Sequence, residues 1–172
     1  MKFNDISDFE VINADFTKWV PVNTYDIVLS HGFVEHFSNY SEIIEKHISL
    51  LKEGGIMFLS VPTFNTPFQI TLRKIFFEKD FLKKILDSHN RDIMNKKTLS
   101  EEISKYFSSV ELLFLDYIDG MQIQFPADIV KPRFVYLFKI FKKTTQIFSK
   151  LGVSSSFFSP GLLLVIQKKH NI

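Results

Sequence analysis

Tyr25-Asp26-Ile27-Val28-Leu29-Ser30 and Leu50-Leu51-Lys52-Glu53-Gly54-Gly55-Ile56-Met57-Phe58-Leu59-Ser60-Val61-Pro62 together decide the fold. The apolar runs in both stretches are short and nearly continuous. That is the pattern of strands covered on both faces, as in a parallel sheet. Residues 41–52 read as the helix between them, because Ile43, Ile44, His47, Ile48 and Leu51 fall at helical spacing. Ser38 or Ser41 can cap its start, Lys52 suits its C-terminal end, and Gly54-Gly55 supply a positive-φ stop. Strand, helix, Gly-Gly, strand is a βαβ unit, expected to be parallel and right-handed.

Working outward, residues 9–12 read as a short strand ending at the turn Asn13-Ala14-Asp15. Residues 68–86 form an amphipathic helix in two pieces. Thr98-Leu99-Ser100-Glu101-Glu102 opens a helix that runs to about Tyr106, with Thr98 or Ser100 as cap and Thr98–Glu101 at capping-box spacing. Residues 110–115 are a further strand, 131–151 are helical, and 162–166 are the last strand, entered through Pro160-Gly161. The fold class is α/β.

The chain has 172 residues, enough for one domain with a core of its own. Its 21 Lys and Arg against 19 Asp and Glu give a net charge of +2, which offers no global reason to expect a nucleic-acid partner. It has no cysteine, so disulfides, thiolate-bound metals and thiol nucleophiles are excluded. The first eight residues lack the basic and apolar regions of a secretory signal. The uncharged stretch 54–72 is interrupted by Pro62, Asn65, Thr66 and Pro67, so it reads as a strand and loop rather than a membrane span. The expected location is cytoplasmic.

Open α/β sheets bind ligands at the carboxyl ends of their parallel strands. Two such ends carry useful chemistry: Asn13-Ala14-Asp15-Phe16, and Leu29-Ser30-His31-Gly32-Phe33-Val34-Glu35-His36. Gly32 has no side chain to hold a ligand off the backbone. Asp15 offers acceptor oxygens for an amino or hydroxyl group, and Phe16 and Phe33 offer flat faces for a base.

The runs 11–15 and 25–30, the pair Glu35-His36, and the turn Leu51-Lys52-Glu53-Gly54-Gly55 occur in the order and spacing of the Rossmann-like S-adenosylmethionine-dependent methyltransferases. The chain resembles most the group that includes ubiquinone-pathway and small-molecule methyltransferases. Glu53 stands where the family's turn usually has Pro, and Tyr106-Phe107-Ser108 replaces the customary Gly-Phe before the sixth strand. The resemblance implies a mostly parallel sheet with helices on its faces, S-adenosylmethionine as cofactor, and methyl transfer to a small-molecule acceptor. It also implies that residues 9–62 form the cofactor side of a single partial domain over 1–172. Segments 64–95 and 117–160 would form a cap that shapes an acceptor pocket, and their Phe-rich character suits an apolar acceptor.

By the same resemblance, Asp15 with Phe16 matches the family's adenine contact. Ser30, His31, Gly32 and Phe33 match the stretch lining the cofactor. The alternatives are a turn Asp and a tight strand-to-loop turn. His36 is the candidate general base for a substrate hydroxyl, against a packing or capping role. No metal site is assigned: Glu35 and His36 are adjacent, and His31 is the one near candidate for a third ligand. His89 is placed in a polar loop.

The family's Gly-rich cofactor loop has no counterpart, since the six glycines at 32, 54, 55, 120, 152 and 161 make no G-x-G. The chain matches the family from just before its third strand, as an N-terminally truncated domain or a remnant would, and poor cofactor binding is expected. The family's strand order is three-two-one-four-five-seven-six. Without strands one and two, strand 25–30 becomes an exposed apolar edge open to pairing with another chain, and strand 9–12 frays or slides beside it. A non-catalytic remnant or a subunit that completes its sheet with another polypeptide is the alternative function. Residues 131–151 carry six Lys and Arg, no acid and interleaved aromatics, which suit either a cap or an anionic membrane surface.

Overall fold

A computed structural model describes residues 9–64, 66–123 and 129–170. The N-terminal octapeptide, Asn65 and part of the 117–160 segment lie outside these. Four strands, β1 (Tyr25–His31), β2 (Leu51–Pro62), β3 (Val110–Ile118) and β4 (Gly161–Lys168), form one sheet in the order β1-β2-β4-β3. β1 and β2 are parallel neighbours, and β4 runs antiparallel to both β2 and β3. Three of the four strands therefore point the same way. The order is the one expected for strands four, five, seven and six of the family topology.

Helix α1 (Tyr40–Ser49) links β1 to β2. It stops at Ser49 rather than at Lys52, because Leu51 already pairs with Tyr25. The glycines serve the strand instead of ending the helix. The register jumps from Tyr25–Leu51 to Ile27–Ile56, and the chain between is looped out tightly. A Cβ on Gly55 would lie 2.9 Å from the Lys52 carbonyl oxygen and 3.0 Å from that of Tyr25. Asn39, not Ser38 or Ser41, occupies the N-cap position of α1. Helix α4 (Lys96–Ser104) likewise starts earlier than its Thr98–Glu101 spacing suggests: Asn95 caps it by accepting from the Lys97 N–H at 2.8 Å. Asparagine is as good a cap as serine, so proximity to the first apolar turn decides.

The paired residues sort into two faces. Val28, Ser30, Met57, Leu59, Val61, Leu162, Leu164 and Ile166 share one face. Their apolar members pack against Ile43, Ile44 and Ile48 of α1 and Leu99 and Ile103 of α4. The opposite face carries Ile27, Leu29, Ile56, Phe58, Leu163, Val165 and Phe114. No described helix closes it over β1, where Ile27 is 61% and Leu29 74% exposed. Helices thus cover the sheet except over the outer face of β1, while Val165 on that same face of β4 is buried. Leaving Leu29 in water forgoes roughly 1.5–3 kcal/mol of burial.

Residues 9–12 form no strand; they have no regular structure and are exposed, with Val11 79% accessible. An isolated strand has nothing to satisfy its backbone groups or cover its side chains, so the sequence preference alone does not hold it.

The remaining helices, α2 (Pro67–Phe76), α3 (Lys79–Asp87) and α5 (Val135–Ser149), gather around a second apolar cluster of Leu72, Phe76, Phe77, Ile123, Val130 and Phe138. The cluster draws on both the 64–95 and 117–160 segments. Short polar links fasten it to the end of β2. The Thr63 N–H donates to the Pro160 carbonyl at 2.7 Å, and the buried Gln69 amide donates to the Phe158 and Gln122 carbonyls at 3.0 and 3.2 Å.

The β1 edge gives a direct test. Gly32 N–H donates to Ser60 O across the β1–β2 pair, so by alternation Val28 and Ser30 also point toward β2 while Ile27 and Leu29 point away. In hydrogen exchange on the monomer, the Val28 and Ser30 amides should be protected and those of Ile27 and Leu29 should exchange fast. Protection of Ile27 and Leu29 would contradict an open edge.

Candidate functional site

The carboxyl ends of β1, β2 and β3 come together beside the start of β4. A small cleft of about 80 Å³ lies there, bordered by His31, Gly32, Ser60, Pro62, Asp119 and Gly161. A ligand of nucleoside size needs a pocket of roughly 300–1,000 Å³. The cleft is therefore a fraction of such a site. Gly32 takes φ +59°, a left-handed conformation that a side chain would oppose, and its N–H donates to the Ser60 carbonyl at 3.0 Å. His31 Nδ1 and Ser60 Oγ are hydrogen-bonded at 2.5 Å. Ser30 stands apart from them: its side chain is buried on the helix-covered face, with an Oγ that lacks a partner among the described residues.

Phe16 reaches this end of the sheet through its contact with Phe33, and the turn that carries it is held by Asp15. Asp15 Oδ1 accepts from the Thr17 N–H at 3.0 Å and the Thr17 hydroxyl at 2.7 Å, and its carbonyl accepts from the Lys18 and Trp19 N–H groups. The Thr17 hydrogen bonds hold its carboxyl below the ordinary value. Phe16 and Phe33 meet edge to face with centroids 5.3 Å apart, and Phe16 also lies 4.7 Å from the His47 ring and 6.1 Å from Trp19. The two phenylalanines are brought together, with much of their surface engaged by protein.

Glu35 and His36 lie on a single 3-10 turn, Val34–His36, directly after the glycine. Glu35 is 1% exposed, and burial pushes its carboxyl above the ordinary value. Beyond the turn His89 joins them: Glu35, His36 and His89 offer ligand atoms all within 4.8 Å of one another. The two segments are pinned together. The Asn90 N–H donates to the Glu35 carbonyl at 2.6 Å, and its side-chain amide donates to the Phe37 carbonyl at 3.3 Å. Phe64 at the end of β2 packs 5.0 Å from the His89 ring and sits beneath the Arg73 guanidinium at 4.4 Å.

Ser60, Asp119 and His89 were not among the sequence candidates. Asp119 did carry a signal, the Asp-Gly turn dipeptide, and it is the one described non-glycine residue at positive φ. His89 carried none, since a histidine in a polar loop gains its neighbours only from the tertiary fold.

No protein-family profile matches the sequence, and no curated protein matches it. Solved structures do match in fold. The plantazolicin methyltransferase BpumL, solved with S-adenosylhomocysteine, superposes with a TM-score of 0.55 at 15% identity over 92% of this chain and 58% of its own. A candidate methyltransferase from Bacillus halodurans gives 0.54 at 16% identity, over 98% of this chain and 74% of its own. The plantazolicin methyltransferase BamL, solved with a desmethyl-plantazolicin analogue and S-adenosylhomocysteine, gives 0.51 at 16% identity, over 90% of this chain and 56% of its own. The chain thus has the Rossmann-like fold of S-adenosylmethionine-dependent methyltransferases and spans little more than half the length of the plantazolicin enzymes.

His47 supplies a pH test of the aromatic cluster. It is buried between Phe16 and Phe33, and its Nδ1–H donates to the Ile43 carbonyl at 2.7 Å. Burial lowers its pKa below the ordinary 6.5, with the Ile43 carbonyl opposing in part. The folded state therefore favours the neutral ring. This contribution is full above pH 6.5 and is lost as the pH falls toward and through the folded value. Denaturation midpoints should drop from pH 7.5 to pH 5, and His47→Gln should flatten that part of the profile. An unchanged slope in the variant would overturn the assignment.

Proposed function

We infer that the chain contributes the strand-end and acceptor-side part of a methyl-transfer site, in which S-adenosylmethionine donates its methyl group to an oxygen, nitrogen or carbon of a small molecule. One observation carries this reading: the β1-β2-β4-β3 sheet, with the carboxyl ends of three co-directional strands meeting at His31-Gly32, in a fold whose similar structures hold S-adenosylhomocysteine. In this reading Gly32 lets the cofactor approach the backbone, and His31 and Phe33 line its methionine end. Asp15 accepts from the adenine amino group, and Ser30 contributes backbone alone. His36, exposed and close to the strand end, takes the acceptor's proton where the acceptor is a hydroxyl. The second apolar cluster forms the acceptor cap. When bound, the sulfonium supplies the electrophilic methyl, and the protein's part is positioning.

The uncovered sheet face favours a companion reading: further polypeptide completes the site. Right-handed crossovers place the helix on one face for strands added to one side of β1 and on the other face for strands added to the opposite side. Parallel strands that wind away from β1 on the edge left unpaired among the described residues would therefore carry their crossover helix over Ile27 and Leu29. That polypeptide would also supply the N–H-rich loop this chain lacks. Titration of the isotope-labelled chain with S-adenosylhomocysteine tests the reading. Weak, millimolar binding, worth about 4 kcal/mol, should shift the amides of residues 15–17 and 30–33. Shifts confined to other regions, or none, would contradict it.

Helix α5 favours a membrane-proximal location. It buries Phe138 against the second cluster while Leu137, Ile140, Ile147 and Phe148 stay exposed, flanked by Lys139, Lys143 and Lys150. No helix among the described residues is long and apolar enough to cross a membrane. An exposed apolar stripe with basic flanks suits adsorption to anionic lipid. The chain should co-sediment with vesicles containing phosphatidylserine and not with neutral ones, and Ile147→Glu with Phe148→Glu should abolish the effect. Absence of binding to either vesicle would leave α5 as cap alone.

A further inference from the structure

Glu35 and His89 have no part in the methyl-transfer reading, yet they stand with His36 in one cluster, and a His36 that holds a metal ion is not free to act as the base. Glu35 is almost fully buried, yet its Oε2 has no hydrogen-bond partner among the described residues. An unpaired carboxylate oxygen in that position is costly unless something cationic faces it. Beside the Glu35 carboxylate lie two imidazoles, His36 and His89, with ring centroids 4.5 Å apart and ligand atoms within 4.8 Å of a carboxylate oxygen. The rings are also oriented in the way metal-binding histidines are. His89 Nδ1 lies 2.7 Å from the Ile85 carbonyl, so Nδ1 carries the proton and the Nε2 lone pair is left for a ligand. His36 Nδ1 lies 3.4 Å from the Ser88 carbonyl, a looser version of the same arrangement.

We propose that Glu35, His36 and His89 bind a divalent transition-metal ion of the zinc type. Two neutral imidazoles and one carboxylate form a donor set suited to Zn²⁺, Mn²⁺, Fe²⁺ or Co²⁺. It is poor for Ca²⁺ or Mg²⁺, which prefer all-oxygen shells. Three protein ligands leave at least one coordination position for water or for an oxygen of a bound molecule. The ligand atoms, now within 4.8 Å of one another, must close to about 3.3 Å around a tetrahedral ion with bonds near 2.0 Å. His36 is exposed and supplies that movement at little cost, while the Asn90 hydrogen bonds hold Glu35 and His89 in place. The site does not depend on the methyl-transfer reading: it stands on these side chains whether or not the chain binds a nucleoside.

Calorimetric titration of the untagged, metal-free chain with Zn²⁺, with Co²⁺ and with Mg²⁺ tests the proposal. One Zn²⁺ should bind per chain, Co²⁺ should bind with a visible absorption band of low-coordinate cobalt, and Mg²⁺ should give no saturable heat. Glu35→Gln and His89→Ala should each weaken Zn²⁺ binding at least about tenfold. His36→Ala, at an exposed position that leaves the core intact, should do the same. His170→Ala, which removes a histidine near Glu53 far along the chain, should leave binding unchanged. Failure to bind Zn²⁺ saturably, or equal binding by the Glu35, His36 and His89 variants, would overturn the site.

Discussion

The packing of one sheet face against α1 and α4 is the constraint on which the rest depends. Met57, Leu59, Leu162, Leu164 and Ile166 are fully buried there, and they join β1, β2 and β4 into a single body with the two helices. Because β1 and β2 are parallel, their connection must cross a face of the sheet, and α1 occupies that face. The opposite face then stays open wherever no further crossover is added. Over β1, which side is core follows from the direction in which the chain winds from β1 to β2.

The same winding fixes the place of the chemistry. Every co-directional strand ends on one side of the sheet, so the loops after β1, β2 and β3 have to meet. Glu35 and His36 follow β1, Phe64 follows β2, and Asp119 follows β3. His89 arrives from the connection between α3 and α4 and is held by Asn90 bonding to the Glu35 and Phe37 carbonyls. The site residues thus come from distant parts of the sequence and are brought together by strand direction, with backbone hydrogen bonds setting the final spacing.

Most of the sheet was legible in the sequence. Ile27–Leu29, Ile56–Val61 and Leu162–Ile166 are apolar runs too continuous for surface helices, and Ile43, Ile44 and Ile48 show the helical period. Residues 9–12 had the same local character and form no strand, because a strand exists only with a neighbour to pair with. The starts of α1 and α4 differ from what their Ser and Thr residues suggest: Asn39 holds the N-cap position of α1 without a side-chain cap, and Asn95 caps α4. Of the site, His31, Gly32, Glu35 and His36 were legible as a strand-end motif. Ser30 lies in the same motif with its side chain on the helix-covered face, as the alternation of a strand requires. His89 was illegible, because its role depends on a contact across more than fifty residues of sequence, roughly the kind of separation that periodicity does not report.

Over β1 the α1 side of the sheet is core, and the side carrying Ile27 and Leu29 is open. Chemical denaturation of Leu59→Ala and Leu29→Ala in the monomeric chain measures this most directly. Leu59→Ala should cost about 2–5 kcal/mol, as expected for a buried leucine. Leu29→Ala should lie within about 0.5 kcal/mol of the parent, as expected for a surface change. A Leu29→Ala cost matching that of Leu59→Ala would mean that the open face is buried in solution, and the account would fail.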